Sequence, residues 1–143
     1  MVAVDLPDIN VWIALSAPEH AHRIRADRYW HESAPEMVVF NIVTMLGLVR
    51  ISSNAPLFHG SAKTPIGAWM QFQKWMDLPG TSFMEDSPEV RKTLDTIIHS
   101  GVVTGKTFTD AYLAAFAISN GLRLVSFDSD FHRFTDLDFL HLN

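Results

Sequence analysis

Three aspartates of this sequence lie where an apolar segment ends or a helix begins. Asp8 follows the apolar residues at the start of the chain, Asp128 follows the apolar run 122–127, and Asp110 begins an alanine-rich stretch. Carboxylates that share a pocket repel one another unless a cation binds between them, and Mg²⁺ or Mn²⁺ prefers oxygen ligands. We therefore expect a divalent metal site of the kind that typically carries out phosphoryl chemistry.

The segments that would position these acids alternate between strands and helices. Short apolar runs predict strands at 2–6, 37–40, 80–84, 122–127 and 139–142. Helical periodicity and end signals predict helices at 11–17, 20–33, 42–53, 65–78, 88–100 and 107–120, with a loop at 54–63. This alternation indicates a three-layer α/β/α fold with a central parallel sheet covered on both faces.

Several helix features are specific. Thr64 followed by Pro65 is a typical helix start, and Asn120 followed by Gly121 is a typical helix end. The helix 20–33 is expected to be amphipathic, with Ile24, the stem of Arg28 and Trp30 near one side. In the helix 42–53, an apolar stripe predicts a buried face formed by Ile42, Met45, Leu46 and Val49. In the helix 65–78, Trp69, Phe72, Trp75 and Met76 form a similar stripe, which would mark a protein interface if it stays exposed.

The predicted topology brings the acids to one edge of the sheet. Ligands bind beyond the carboxyl ends of parallel strands, where Asp8 and Asp128 fall. Asp110 lies in the first turn of its helix, where the helix dipole favours a carboxylate, and small alanines allow that helix to approach the sheet. Each acid alone is explained more simply as a turn or cap residue. Taken together, three acids at one edge favour a site.

Composition limits the class of protein. The chain has 143 residues, 48% of them hydrophobic, which fits one domain over 1–143. It has no cysteine, so disulfides, zinc thiolates and thiol nucleophiles are excluded. A net charge of −5 argues against a broad basic surface that coats nucleic acid. No apolar run is long enough for a membrane span and no secretion signal is present, so we expect a cytoplasmic protein.

Three segments in order carry a family resemblance. They are Asp8-x-Asn10 after the first strand, the block 109–115 around Asp110, and the ending 125–131 that contains Asp128 and Asp130. Together with the middle segment 46–54, they resemble a PIN domain, and more narrowly the VapC ribonuclease toxins of VapBC toxin–antitoxin pairs. The resemblance covers nearly the whole chain.

The resemblance implies a role for each residue. Asp8, Asp110 and Asp128 would be the catalytic acids and would bind Mg²⁺ or Mn²⁺. Asp130 would assist the metal from the rim of the site or through the groups that bind it. Asn10 would orient Asp8 and its loop. Thr109 would contact substrate or cap its helix, and we favour the cap.

The resemblance also implies substrates and partners. The expected activity is metal-dependent endoribonuclease cleavage of tRNA or another structured RNA. A cognate VapB-like antitoxin would inhibit the toxin, and the chain would form a homodimer away from any membrane. One position departs from the family: Met45 stands where a glutamate is usual, and a thioether is a poor ligand for Mg²⁺.

Other interpretations remain open or are set aside. Because Met45 stands where a glutamate is usual, a second hypothesis is a PIN-fold module that binds RNA or antitoxin but cleaves poorly. A third, a phosphatase using Asp8 as nucleophile, is disfavoured because Asn10 cannot act as the general acid. The segment 101–107 resembles a phosphate-binding loop but has one residue too few between its glycines. His20 and His22, placed on the predicted helix, have poor spacing for a metal pair, while His132 is a candidate general acid.

Overall fold

The computed structural model describes residues 3–54 and 64–143 and contains five β-strands and six α-helices there. The strands are β1 (Val4–Pro7), β2 (Met37–Phe40), β3 (Thr81–Phe83), β4 (Arg123–Ser126) and β5 (Phe139–His141). The helices are α1 (Ile9–Ser16), α2 (Arg23–Arg28), α3 (Ile42–Ser52), α4 (Pro65–Met76), α5 (Pro88–His99) and α6 (Phe108–Asn120). All but one residue of the predicted loop 54–63 lies outside the described residues.

The strands form one sheet in which every pairing is parallel. The spatial order is β3-β2-β1-β4-β5, so β1 lies at the centre between β2 and β4. Asp5 is opposite both Val38 and Arg123 in the register of these pairs. The carboxyl ends of β1 and β4 are therefore neighbours, and Asp8 and Asp128, which follow them, emerge at one edge.

Helices cover both faces of the sheet. In β2, Val38 and Phe40 pack in one apolar cluster, while Val39 packs in the other, as the alternation of a strand requires. The first cluster includes Leu48 of α3 and the second includes Phe116 of α6. The predicted three-layer α/β/α fold is confirmed.

Trp12 anchors α1 on the sheet. Its ring is fully buried and stacks on Phe40, with 4.0 Å between ring centroids, and Trp30 and Trp75 pack at 5.8 and 5.3 Å. Removing such a ring costs about 3–5 kcal/mol. Because Asp8 immediately precedes α1, this packing also fixes the position of the first acid.

The region predicted as one helix, 20–33, is divided. α2 begins only at Arg23, and a π-helical turn, Tyr29–Ser33, follows it. Ile24 is 78% exposed while Trp30 is partly buried, so the side that they were predicted to share is not buried as a whole. Tyr29 provides the buried contact instead, and its hydroxyl donates a 2.6 Å hydrogen bond to Asp5.

Asp5 is a buried carboxylate with a complete set of partners. Nε and Nη2 of Arg123 each donate a 2.9 Å hydrogen bond to it, and Tyr29 donates a third. The hydrogen bond to Asp5 raises the pKa of Arg123, while burial and the Asp5 charge raise the pKa of Tyr29. This buried charge is paired and hydrogen-bonded, as the low dielectric of the interior demands.

Gly47 is the point of closest approach between α3 and α1. A Cβ atom added at Gly47 would overlap the side chain of Ile9, the first residue of α1. Glycine at this position lets the two helices meet beside Asp8. No residue near Gly47 in the chain indicates this requirement, because the contact joins residues far apart in the chain.

Some predicted apolar stripes are only partly buried. On α3, Ile42 and Leu46 are 43% and 57% exposed, so the prediction of a fully buried face is wrong for them. On α4, Phe72 is buried but Trp69 and Met70 are exposed, which leaves apolar surface there. Among the residues that the structure describes, no helix combines the length and hydrophobicity needed to cross a bilayer.

Candidate active site

Asp8 is held at the junction between β1 and α1. Its backbone N–H donates to the carbonyl of Val125 at 2.8 Å, which ties it to β4. Its side chain is the N-terminal cap of α1, with Oδ1 accepting from Ile9 N at 2.7 Å. The carboxylate is 8% exposed, so local structure rather than solvent determines its orientation.

Ser126 connects the elements around Asp8. Its buried hydroxyl donates to Oδ2 of Asp8 at 2.7 Å and accepts from Nδ2 of Asn10 at 3.1 Å and from the N–H of Asp128 at 3.0 Å. One hydroxyl has one proton to donate and two lone pairs to accept with, so these three contacts use its full capacity. Ser126 therefore links three of the predicted site residues.

Asn10 is oriented toward the end of β4. Besides the bond to Ser126, its Oδ1 accepts from the N–H of Phe127 at 3.3 Å. Since Asn10 lies in the first turn of α1, these bonds fix the Asp8 loop against β4. This geometry is compatible with the predicted orienting role of Asn10.

Asp128 and Asp130 lie on a short turn after β4. Asp128 caps the 3₁₀ turn Ser129–Arg133, and its Oδ1 accepts from the N–H of Asp130 at 2.9 Å. Asp128 is partly buried, whereas Asp130 is exposed. The rim position predicted for Asp130 agrees with this difference in burial.

Asp110 lies in the first turn of α6. The same turn contains Thr109, which was predicted to cap the helix. A 3₁₀ turn, Gly105–Thr107, leads directly into α6, and Thr104 and Thr107 form a reciprocal capping box. Thr109 lies inside the first turn of α6 and is exposed, so its favoured role as the cap is wrong. Its possible contact with substrate stays a prediction, and Asp110 is half-buried one residue further on.

The pKa shifts show that the acids share one electrostatic environment. Burial, followed by repulsion from Asp8, Asp128 and Asp130, raises the pKa of Asp110 to about 6. Burial is also the main cause that raises the pKa of Asp8, with Asp128 adding to it, while the hydrogen bond from Ser126 opposes the rise. The predicted acids are therefore close enough to disfavour one another's ionisation, as expected where a cation is to bind.

Arg133 is the cation that faces this group. Its positive charge lowers the pKa of Asp110, against the larger effects that raise it. Nε donates to the carbonyl of Asp130 at 3.0 Å, and Nη1 lies 3.4 Å from the hydroxyl of Thr107. Arg133 thus connects the turn that carries Asp130 to the segment before α6.

The donor set fits a hard divalent cation that keeps part of its water shell. Carboxylate oxygens are the ligands of Mg²⁺ and Mn²⁺, and Mg²⁺ commonly binds through one or two carboxylates plus waters. Within 3–54 and 64–143, no three histidine or acidic side chains stand close enough to enclose an ion by themselves. Met45 is partly buried against the first apolar cluster and supplies no oxygen. An ion here would therefore rely on Asp8, Asp110 and Asp128 together with water.

Sequence reasoning missed three residues of the site. Ser126 is an ordinary serine in a strand, Thr107 belongs to a capping box that precedes the helix, and Arg133 lies beyond the acidic motif. The alternation of β4 provides one usable signal: a serine at the end of a buried strand, next to Asp128, is a polar group that needs a partner.

His20, His22 and His132 make contacts other than those of metal ligands. His20 and His22 precede α2 rather than lying on it, and Nδ1 of His20 accepts from the N–H of His22 at 3.0 Å. His22 stacks on Phe127 with 4.5 Å between ring centroids. His132 is exposed and packs against His141 at 5.4 Å. A general-acid role for His132 stays a prediction.

Comparison with known proteins identifies the family. The PIN domain family matches residues 6–137 of this chain. Ribonuclease VapC39 of Mycobacterium tuberculosis is 34% identical over 125 residues, which span 87% of this chain and 88% of that protein.

Solved structures agree in fold. Mycobacterium tuberculosis VapC20, described as a sarcin–ricin loop cleaving toxin, superposes with a TM-score of 0.70 at 15% identity, covering 95% of this chain and 98% of that chain. VapBC2 from Rickettsia felis, bound to a DNA fragment from its promoter, gives 0.68 at 11% identity, covering 98% and 99%. The family match and the identity to VapC39 are similarities of sequence and not only of fold. They show that the chain belongs to the PIN domain family and, within it, to the VapC-type ribonucleases of toxin–antitoxin pairs.

Proposed function

We propose that this protein is an endoribonuclease toxin that requires Mg²⁺ or Mn²⁺ and hydrolyses RNA phosphodiester bonds. One observation carries the proposal: the Ser126 hydroxyl bonds to both Asp8 and the N–H of Asp128 at the carboxyl ends of β1 and β4, and the charges of these two acids act on Asp110 of α6. Such a group is unfavourable for folding unless it binds a cation, and a divalent cation is the partner that phosphodiester hydrolysis needs.

Each residue of the acidic site has a proposed role. Asp8, Asp110 and Asp128 hold the ion, and Asp130 assists from the exposed turn. Ser126 and Asn10 keep Asp8 aligned with the end of β4 through the bonds described above. When bound, the divalent cation supplies an activated water and shields the charge of the phosphodiester. These assignments rest on the shared pocket and on the family.

The proposed substrate is tRNA or another structured RNA. VapC20 is a toxin that cleaves the sarcin–ricin loop, and its fold matches this chain. A structured RNA suits a protein with a net charge of −5, because contact would be confined to the site rather than spread over a basic surface.

The proposed partners are a cognate VapB-like antitoxin and a second copy of the chain. VapBC complexes are among the structures with this fold. The exposed Ile66, Trp69 and Met70 of α4 support a protein interface, since large apolar side chains rarely gather on a free surface. The proposed site of action is the cytoplasm.

The test is cleavage of total tRNA by the purified, antitoxin-free protein with Mg²⁺, with Mn²⁺ and with EDTA. Discrete fragments are expected only with metal, and Asp110→Asn should abolish them. Asp77→Asn provides a matched control, because Asp77 is an exposed aspartate at the end of α4, away from the site. Equal fragment yields in EDTA, or from Asp110→Asn, would contradict the proposal.

Met45 favours one alternative, a binding module that cleaves poorly. Its thioether lies in the apolar cluster where the family commonly has a glutamate, so one oxygen ligand is missing. The alternative predicts folded protein that cleaves no RNA and shows no measurable Mn²⁺ binding by calorimetry. Measurable Mn²⁺ binding that Asp110→Asn weakens would exclude it.

A further inference from the structure

A cavity of about 150 Å³ lies between the end of α5, the second half of α6 and the segment 133–136. Its apolar walls are Ile97, Val102, Ile118 and Phe134. Four polar side chains, Thr96, Ser100, Thr135 and Asp136, complete the lining. None of these eight residues belongs to the acidic site.

Arg133 forms the boundary between this cavity and the acids. It lines the cavity, and it also bonds to Asp130 and to Thr107, the residue that precedes α6. Nε donates to the Asp130 carbonyl at 3.0 Å, and Nη1 lies 3.4 Å from both the Val102 carbonyl and the Thr107 hydroxyl. The contact of Nη2 is longer, at 3.6 Å from the Asp130 carboxylate. The guanidinium therefore retains N–H groups that can bind an anion.

We propose that this cavity binds one unpaired base of the RNA substrate, and that Arg133 contacts the backbone phosphate between that base and the acidic site. The proposal rests on the proposed function, since it deepens the description of the same substrate. It identifies the substrate as RNA with a single-stranded nucleotide near the scissile bond.

The size and chemistry of the cavity favour a base. A nucleobase is flat and apolar on its faces but polar at its edge, and proteins read unpaired bases by combining both properties. Here the apolar walls suit the faces, while the hydroxyls of Thr96 and Thr135 and the carboxylate of Asp136 suit the edge. A cavity of about 150 Å³ is too small for a ligand of drug size, which needs roughly 300 Å³ or more.

The position of the cavity sets the distance to the cleaved bond. Ile118 follows Asp110 by eight residues in α6, which is roughly 12 Å along a helix. A single strand covers that distance in a few nucleotides. The bound base would therefore flank the scissile bond without being one of the groups that react.

The first test needs no catalysis. The ¹⁵N-labelled full chain is titrated in EDTA with AMP, GMP, CMP and UMP up to about 10 mM, and amide shifts are followed by NMR. At least one nucleotide should give saturable shifts within 96–102 and 133–136. Thr135→Trp, which fills the cavity from an exposed position, should abolish them, and Gln73→Trp on α4 should not. If Thr135→Trp does not fold, Thr96→Trp fills the cavity from α5 instead.

The second test uses cleavable RNA with abasic nucleotides placed one by one around the scissile bond. One abasic position should lower kcat/KM of the wild-type protein by at least about fivefold, and have no further effect in Thr135→Trp. No saturable shift with any nucleotide, or abasic effects that persist in Thr135→Trp, would overturn the base pocket. If the protein cleaves RNA but binds no base, the proposal of a base-binding cavity fails and the proposed nuclease activity stands. If it binds a base but cleaves no RNA, the proposed nuclease activity fails and the base-binding cavity stands.

Discussion

Replacing Ser126 with alanine should weaken both the fold and the metal site. The change removes the hydroxyl that donates to Asp8 and accepts from Asn10 and from the N–H of Asp128. Because the hydroxyl is fully buried, water cannot enter to replace it without a rearrangement. We therefore expect a larger effect than for an average serine.

The magnitude follows from the three contacts. A hydrogen bond to a charged group contributes about 1.5–3 kcal/mol, and unpaired donors add to the loss. Asn10 and Asp128 are only partly buried, so solvent recovers some of their bonding. We expect the free energy of unfolding to fall by about 2–3 kcal/mol. Loss of the bond that orients Asp8 should also weaken Mn²⁺ binding by about 10–100-fold.

The assay is urea unfolding in EDTA at pH 8, followed by Mn²⁺ calorimetry on the same samples. Ser52→Ala is the matched control, because Ser52 is equally buried but its hydroxyl has no hydrogen-bond partner among the described residues. Its removal should leave stability unchanged or slightly higher. The reasoning is refuted if Ser126→Ala unfolds like the wild-type protein, or if Ser52→Ala loses as much stability.

Three further predictions concern single residues. Asp110→Asn should stabilise the metal-free protein at pH 8 but not at pH 4. The pKa of Asp110 is raised to about 6 in the folded protein, so the contribution of this carboxyl to stability is lost as the pH rises from about 4 to 6. Urea unfolding at both pH values checks this. Gly47→Ala should lower the free energy of unfolding by about 1–3 kcal/mol through overlap with Ile9, whereas Gly105→Ala, with open space at its Cβ, should not. Met45→Glu should tighten Mn²⁺ binding, and unchanged affinity by calorimetry would contradict the family alignment.

The fold was largely accessible from the sequence because its strands are short buried runs bounded by clear signals. The Thr64 cap, Pro65 at the first helical position and Gly121 in the left-handed conformation after α6 all occur as predicted. The order of the acids along alternating strands and helices was enough to place Asp8 and Asp128 at one edge. These features depend on local chemistry, which a single sequence records.

The features that sequence reasoning missed depend on contacts between distant residues. The π-helical turn buries Tyr29, and the Tyr29 hydroxyl donates a hydrogen bond to Asp5, which lies 24 positions earlier in the chain. Ser126 bonds to Asp8 across 118 positions, and the sequence of β4 indicates that Ser126 needs a partner but not which residue that partner is. Thr109 was misassigned because two threonines precede the same helix and the capping box begins earlier, at Thr104.

Two buried carboxylates, one in β1 and one directly after it, lie in opposite electrostatic environments. Asp5, at the beginning of β1, is neutralised by Arg123, while Asp8, just past its end, is left in a group of like charges. Asp8 lies three residue steps of extended chain after Asp5, roughly 10 Å away, a distance at which mutational effects usually add. An engineer can therefore treat the two ends of this strand as separate controls, adjusting thermal tolerance through Asp5 and its partners and reactivity through Asp8.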